Sequence, residues 1–139
     1  MAILRAGRAA IDELHRRLAE RGHPDMRPVH GYAFQIIGAD GATATELGRR
    51  LGVTKQAASQ MVDELVRLGY VQRGADPADG RRRIVTLTPR GVDSLRVSAA
   101  IFDELLAEWR AAGADVDAAV DALDRLGALY GAGELRPIW

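Results

Sequence analysis

One stretch of the chain, Thr43–Leu87, constrains the fold more than any other, because it fixes both the type and the order of its elements. Thr43–Glu46 has the pattern of a capping box, in which the first and fourth residues satisfy each other's backbone N–H groups at a helix start. This pattern predicts a helix over residues 44–51. Thr54 is a good N-cap for a second helix over residues 55–68. Only a short glycine-containing turn separates the two helices, so they are expected to pack against each other.

A β-hairpin is predicted directly after these two helices. Residues 70–73 and 84–87 have the composition of strands. Between them, Asp76 and Pro77 have turn chemistry, and Gly80 is expected to take a positive φ. The stretch therefore predicts the order helix, turn, helix, hairpin, with a protruding hairpin tip.

Amphipathic helices are predicted on both sides of this unit. The first runs to about residue 21, a second begins at Pro28, and a long one follows the Thr88 cap to about residue 112. A last helix, capped by Asp115, is expected to turn inward an apolar face made of Val116, Val120, Leu123 and Leu126, and residues 135–139 are not expected to be helical. The long helix has coiled-coil-like apolar spacing, with a second apolar stripe at Ile101 and Leu105; the main stripe is Val92, Leu95, Ala99, Phe102, Leu106 and Trp109. The predicted fold class is mainly α with one small β-hairpin, in a single domain over residues 1–139.

Charge is distributed unevenly along a chain whose net charge is zero. Residues 49–83 contain eight basic and four acidic side chains, whereas residues 103–124 contain seven acidic side chains and one arginine. Any contact with phosphate is therefore expected in the middle of the chain. The chain has no cysteine, which excludes disulfides and thiolate sites. No secretory leader or membrane span is recognised, and a cytoplasmic location is expected.

The second helix of the unit offers a polar face free of negative charge. Glutamine can bond adenine at two points and lysine can donate to guanine, while the N–H groups at a helix N-terminus favour phosphate. An isolated face of this kind is more often just solvated surface, but its place after a capped helix and a glycine turn favours DNA reading. The predicted DNA-contacting side chains on this helix are Thr54, Lys55, Gln56, Ser59 and Gln60.

Three consecutive arginines follow the hairpin tip. Alternate residues of a strand face opposite ways, so Arg81 and Arg83 are expected on one face and Arg82 on the other. At a tip, Arg81 and Arg83 suit the minor groove or flanking phosphates. The competing interpretation is a local salt bridge from Asp76 or Asp79 to one of the arginines, which would hold the shape of the tip.

Residues 43–91 resemble the multiple antibiotic resistance regulator (MarR) family of bacterial repressors. The most specific parts are the hairpin tip from Asp76 to Arg82 and the sequence Leu87-Thr88-Pro89-Arg90-Gly91. The resemblance implies a winged helix-turn-helix over residues 28–88 and a homodimer formed by helices within 1–22 and 89–131. It also implies binding to a pseudo-palindromic operator in double-stranded DNA, in many relatives relieved by a small aromatic or phenolic ligand. Arg27 departs from the hydroxyl cap common in relatives, and Gly80 stands where they commonly have a basic residue.

Other functions are less well supported by the residues. His30, Tyr32 and Trp109 are candidates for a ligand pocket, although aromatic residues at helical spacing are more often core. The three histidines lack the spacing typical of a metal site, and neither a cofactor nor a metal is expected. No nucleophile elbow or phosphate-binding loop points to an enzyme. A winged helix that binds protein rather than DNA remains the alternative, because the net charge is zero.

Overall fold

The computed structural model describes residues 1–129. That part of the chain forms six helices and one antiparallel hairpin. The element bounds are α1 Ala2–Glu20, α2 Pro28–Ile37, α3 Ala44–Leu51, α4 Lys55–Arg67, β1 Val71–Ala75, β2 Arg83–Leu87, α5 Pro89–Ala111 and α6 Val116–Leu129. These bounds confirm the predicted helix order and the mainly α fold with one hairpin. The expectation for residues 135–139 lies outside the described residues. No helix within residues 1–129 is both long and apolar enough to cross a membrane.

A single hydrophobic core joins the first five helices to the hairpin. Each of these elements turns one apolar stripe or face inward and leaves polar side chains outside, as amphipathic elements must when they bury a shared core. The largest fully buried apolar side chains are Leu18 of α1, Phe34 and Ile37 of α2, Leu47 and Leu51 of α3, Val62 and Leu65 of α4, Tyr70 just before β1, Val71 of β1, and Ile101 of α5.

The two apolar stripes of α5 lie in different surroundings. The second stripe, Ile101 and Leu105, is buried in the core where α5 packs on α1. Three residues of the main stripe stay exposed within the protomer: Val92 at 55%, and Phe102 and Trp109 at 41% each. Leu95 of the main stripe still packs against the core, so the large side chains that the stripe leaves exposed are those of Val92, Phe102 and Trp109.

The predicted inner face of α6 is wrong for the isolated protomer. Val116 is buried, but Val120, Leu123 and Leu126 are 44–48% exposed. The period of the apolar residues was identified correctly, yet α6 lies at the edge of the fold, where α5 covers only its beginning.

The hairpin pairs Val71 with Leu87 and Ala75 with Arg83. The strands run closer to the tip than predicted, and the tip is shaped by side chains. Oδ1 of Asp76 accepts from Ala78 N at 2.8 Å, and Oδ1 of Asp79 accepts from Arg81 N at 3.0 Å. The expected positive φ at Gly80 is wrong. Two aspartate side chains that bond the backbone two residues ahead already make the turn, so no left-handed residue is needed there.

Tyr70 joins the hairpin to α5 and to the loop after α1. Its carbonyl oxygen accepts from Thr88 N and from Thr88 Oγ1, both at 3.0 Å. Its hydroxyl accepts from Arg90 at 3.1 Å and lies 3.2 Å from Nδ1 of His23. Nε2 of His23 lies 3.1 Å from the carboxylate of Asp93. Arginine can only donate and a carboxylate only accepts, so Arg90 donates to the tyrosine hydroxyl and Nε2 of His23 donates to Asp93.

Gly91 allows α5 to lie against the start of β1. A Cβ added at this residue would stand 2.2 Å from the carbonyl oxygen of Tyr70, a separation that no packed side chain can adopt. Thr88 caps the same turn, because its Oγ1 accepts from Gly91 N at 3.2 Å. The glycine is therefore required by the close approach of two backbones.

We predict that Gly91→Ala lowers the free energy of unfolding by about 3 kcal/mol, since the added methyl group forces the backbones apart. Gly31→Ala is the matched control: a Cβ there meets nothing within 4 Å, and alanine is expected to stabilise α2 by about 0.5–1 kcal/mol. Urea unfolding at one fixed protein concentration measures both. Equal stability of the two variants would contradict the role of Gly91.

His30 caps the start of α2 from within the core. It is fully buried, and its Nδ1 accepts from Arg27 N at 3.2 Å. The proton of the neutral ring therefore resides on Nε2, which has no hydrogen-bond partner among the described residues. Burial, and next the charge of Arg27, lower the pKa of His30 to about 4.

This shift predicts an acid-sensitive stability. The unfolded chain takes up a proton near pH 6.5 and the folded chain only near pH 4, so the free energy of unfolding falls as pH drops through this window. We expect a slope contribution of up to about 1.4 kcal/mol per pH unit. His30→Gln keeps an N3 side chain able to accept from Arg27 N and should remove this contribution. His15→Gln should retain it, and urea unfolding between pH 4 and 7 distinguishes the two.

Candidate nucleic-acid interface

The two helices of the candidate interface are fixed by their ends. Thr43 Oγ1 accepts from Glu46 N at 3.1 Å, and Glu46 Oε2 accepts from Thr43 N at 2.7 Å, which confirms the predicted capping box. α3 ends at Gly52 in the left-handed region, with a φ of 74°. A Cβ at Gly48 would come within 3.1 Å of the Val53 carbonyl oxygen, so this glycine permits the tight turn into α4.

The first two turns of α4 present a polar face to solvent. Lys55, Gln56 and Gln60 are exposed, and Ser59 is half-buried. Thr54 is committed to the helix start, because its Oγ1 accepts from Ala57 N at 3.1 Å. Its hydroxyl proton remains able to donate. The opposite face of α4 is buried through Ala58, Val62 and Leu65. The structure therefore brings the five predicted α4 residues together at one exposed end of the helix.

The two carboxylates further along α4 are both neutralised by arginines from other elements. Asp63 Oδ1 lies 2.6 Å from an Nη atom of Arg73 on β1. Glu64 is ion-paired with Arg27 at the start of α2. Arg27 was recognised in the sequence only as a departure from the usual cap, and the structure gives it a partner. These pairs reduce the negative potential that α4 would otherwise present.

Of the three consecutive arginines at the hairpin, one is ion-paired within the described part of the protein and two are not. Arg82 bonds Glu46 at 3.1 Å and lies 3.6 Å from Asp76. Arg81 and Arg83 are exposed, and no carboxylate lies within ion-pair distance of either in residues 1–129. Arg82 therefore makes the salt bridge that was the competing interpretation. Because β2 begins at Arg83, Arg81 and Arg82 lie before the strand on which the alternation was expected.

Glu46 has a second role that the sequence did not reveal. The capping box alone explains why a glutamate stands at this position, so the sequence did not indicate that Glu46 also has a partner on the hairpin. The backbone N–H of Thr43, more than any other group, lowers the pKa of this carboxyl. A pairing with Arg82 spans 36 residues and becomes visible only when the hairpin is folded back onto α3.

The three residues predicted to line a ligand pocket are not found in one cavity. Trp109 lies at a cleft of about 330 Å³ between α1 and α5, whose lining includes Ala6, Ala10, Arg17 and Leu105 but neither His30 nor Tyr32. His30 is buried at the start of α2, and Tyr32 is half-buried against the core. The candidate ligand residues stay a prediction. Among residues 1–129, no group of histidine and acidic side chains is arranged to hold a metal ion.

Comparison with known proteins agrees with this architecture. Residues 25–82 match the sequence model of the MarR family, whose members are DNA-binding transcription regulators. The LexA repressor of Deinococcus radiodurans is 34% identical over 87 residues, which cover 60% of this chain and 39% of that protein. The chain therefore spans well under half the length of this curated relative.

Solved structures share the fold over nearly the whole chain. RV1404 from Mycobacterium tuberculosis is 23% identical with a TM-score of 0.76, covering 99% of this chain and 92% of that one. MepR, which regulates the Staphylococcus aureus multidrug efflux pump MepA, is 17% identical with a TM-score of 0.69, covering 95% and 96%. CouR from Rhodococcus jostii, solved with p-coumaroyl-CoA, is 21% identical with a TM-score of 0.66, covering 92% and 88%. Residues 25–82 are therefore similar to the MarR family, and nearly the whole chain shares the winged-helix fold of these solved structures.

Proposed function

We propose that this protein is a sequence-specific regulator of transcription that binds double-stranded DNA as a homodimer and acts as a repressor. The observation that carries this proposal is the exposed start of α4. It presents Lys55, Gln56 and Gln60 to solvent, while both acidic residues further along the helix are ion-paired. Such a face offers hydrogen bonds to base edges without repelling phosphate.

In the proposed complex, base reading and anchoring fall to different elements. Gln56, Ser59 and Gln60 reach base edges in the major groove, and Thr54 and Lys55 bond nearby bases or phosphates. Arg81 and Arg83 anchor the hairpin, the wing of the fold, to phosphates or the minor groove. Because the net charge is zero, affinity depends on this local basic patch and is expected to fall steeply with salt. Repression is the role named for one relative, the LexA repressor.

The homodimer is supported by the distribution of exposed apolar side chains. Within residues 1–129, the large hydrophobic residues that are exposed lie on or next to α1, α5 and α6, with Val66 of α4 the single exception. Exposed apolar side chains that gather on a few helices, rather than being scattered singly over the surface, favour an interface. The exposed residues outside the winged helix are Met1, Ile3, Leu4, Val92, Phe102, Trp109, Val120, Leu123, Leu126 and Leu129.

Release from DNA by a small effector is the further part of the proposal. CouR was solved with p-coumaroyl-CoA and MepR with ethidium, which are properties of those proteins. For this chain the support is the unpartnered Nε2 of His30 and the cleft beside Trp109. An aromatic or phenolic effector, with Tyr32 as a further contact, remains a prediction from the family resemblance.

Selection from a pool of random duplexes at low salt tests DNA binding directly. We expect enrichment of a pseudo-palindrome whose half-sites lie about 10 bp apart, one helical turn of DNA. If no sequence is enriched, the protein is a winged-helix module that binds protein rather than DNA.

Two substitutions should separate reading from anchoring. Gln56→Ala should relax base preference at one or two positions of each half-site, with a loss of about 1–3 kcal/mol in discrimination there. Arg81→Ala should weaken binding to all sequences and reduce the salt slope by about one. Fluorescence anisotropy with the selected site and single-base variants, from 50 to 300 mM salt, measures both effects. The opposite pattern would show that the two roles are reversed.

A charge placed on the exposed face of α6 should dissociate the dimer. A leucine buried at an interface contributes about 1.5–3 kcal/mol, and burying an unpaired carboxylate costs more, so we expect Leu123→Glu to raise the dimer dissociation constant at least about 100-fold. Val66→Glu is the matched control, because Val66 is also an exposed apolar residue but lies on α4. Light scattering at micromolar concentration should find the Leu123 variant monomeric and the Val66 variant dimeric. A monomeric wild type would refute the dimer.

A further inference from the structure

The three consecutive arginines of the wing differ in what holds them. Nη2 of Arg82 donates to Oε1 of Glu46 at 3.1 Å, and its Nη1 lies 3.6 Å from Oδ2 of Asp76. Arg81 and Arg83 have no such carboxylate neighbour among the described residues. The middle arginine is therefore bound to the protein, while its two neighbours are exposed to solvent.

Glu46 gives Arg82 a fixed point of attachment. Its Oε2 accepts from both the backbone N–H and the hydroxyl of Thr43, at 2.7 and 2.8 Å, which leaves Oε1 to accept from Arg82. These bonds to Thr43 also lower the pKa of Glu46, so the carboxylate is charged at neutral pH. Because the capping box orders the carboxylate, Arg82 is held at a position set by the first turn of α3.

The wing has a second attachment at its base. Ala42, just before α3, forms an isolated bridge with Val85 of β2, with N···O distances of 3.0 and 2.8 Å. Arg73 of β1, which is paired with Val85, also contacts Asp63 of α4, so both of these attachments lie at the base. Without a further contact, the outer part of the hairpin could swing about that base. Arg82 lies three residues nearer the tip, roughly 10 Å further along an extended strand, and attaches to the same helix start. Two attachments at that spacing restrict the swing.

We propose that the Glu46–Arg82 ion pair is a latch that sets the direction of the wing relative to α3 and α4. Both are then positioning residues for the DNA contacts of Arg81 and Arg83, an inference that rests on the proposed DNA binding. An exposed ion pair contributes little to folding. The ion pair can nevertheless improve DNA binding, because it orders the wing before DNA binds. The entropy lost on ordering the wing then no longer opposes association.

The rival role for Arg82 is direct contact with phosphate, from which Glu46 holds it back. The two roles predict opposite signs for Glu46→Gln. Glutamine at this position keeps the capping box but removes the charge that holds Arg82. If Arg82 contacts phosphate, removing the negative charge should tighten DNA binding. If the pair is a latch, the same change should weaken it.

The binding experiment compares four variants on the selected duplex. We expect Glu46→Gln and Arg82→Gln each to weaken binding about three- to tenfold, and the double variant to be no weaker than the weaker single variant, because both break one interaction. Asp40→Asn is the matched control, since Asp40 is an exposed carboxylate in the turn before α3 with no ion pair among the described residues. It should bind as well as the wild type or slightly better. Tighter binding by Glu46→Gln, or additive losses in the double variant, would overturn the latch.

A second measurement needs no DNA. Trypsin cleaves after arginine, so the rate of cutting at residues 81–83 reports how often the wing opens. We expect Glu46→Gln to be cut about two- to fivefold faster than the wild type and Asp40→Asn to be cut at the wild-type rate. Equal rates for the two variants would overturn the proposal whatever the binding data show. Faster cutting of Glu46→Gln, in a protein that selects no duplex, would leave the latch standing and refute the proposed function.

Discussion

The close approach of the Tyr70 carbonyl group to Thr88 and Gly91 is the constraint on which the rest of the structure depends. One oxygen ends the hairpin ladder, accepts the Thr88 hydroxyl and leaves room only for a glycine on α5. The tyrosine ring then packs beside Phe34 and His23, with the Arg90 guanidinium 4.6 Å from its centre. The winged helix is thereby joined rigidly to the long helix that the proposed dimer would use, and the position of one element defines that of the other.

Electrostatic pairing decides which charges remain available on a neutral protein. Three carboxylates near the candidate interface are paired with arginines: Asp63 with Arg73, Glu64 with Arg27, and Glu46 with Arg82. Away from this interface in the sequence, Arg17 of α1 and Arg21, which directly follows α1, both pair with Glu104 of α5. Individually such exposed pairs contribute about 0–1 kcal/mol to stability. The pairs near the interface have a larger effect on the surface potential. Because their carboxylates are neutralised, they reduce the positive potential around Lys55, Arg81 and Arg83 less than free carboxylates would.

Local sequence patterns were sufficient to predict the elements, and insufficient to predict how they meet. The capping box at Thr43 and the Thr88-Pro89 helix start were confirmed because their chemistry is complete within four residues. The turn at the hairpin tip was predicted correctly, but Gly80 does not take a positive φ there, because two aspartate side chains bond the turn backbone instead. The α6 face and the Arg82 partner could not be predicted, since each depends on an element far away in sequence. Helical periodicity alone places Lys55, Gln56 and Gln60 away from the buried face of α4, whereas their contact with DNA stays a prediction.

The apolar surface of α5 and α6 has a consequence for how the protein would respond to its own abundance. In the proposed assembly two protomers must meet before both half-sites are occupied. Below the dimer dissociation constant, the concentration of dimer rises with the square of the protomer concentration. Occupancy of an operator would then increase more steeply than the protein level itself. Side chains such as Phe102 and Leu123, which never approach DNA, would therefore set the threshold at which regulation begins.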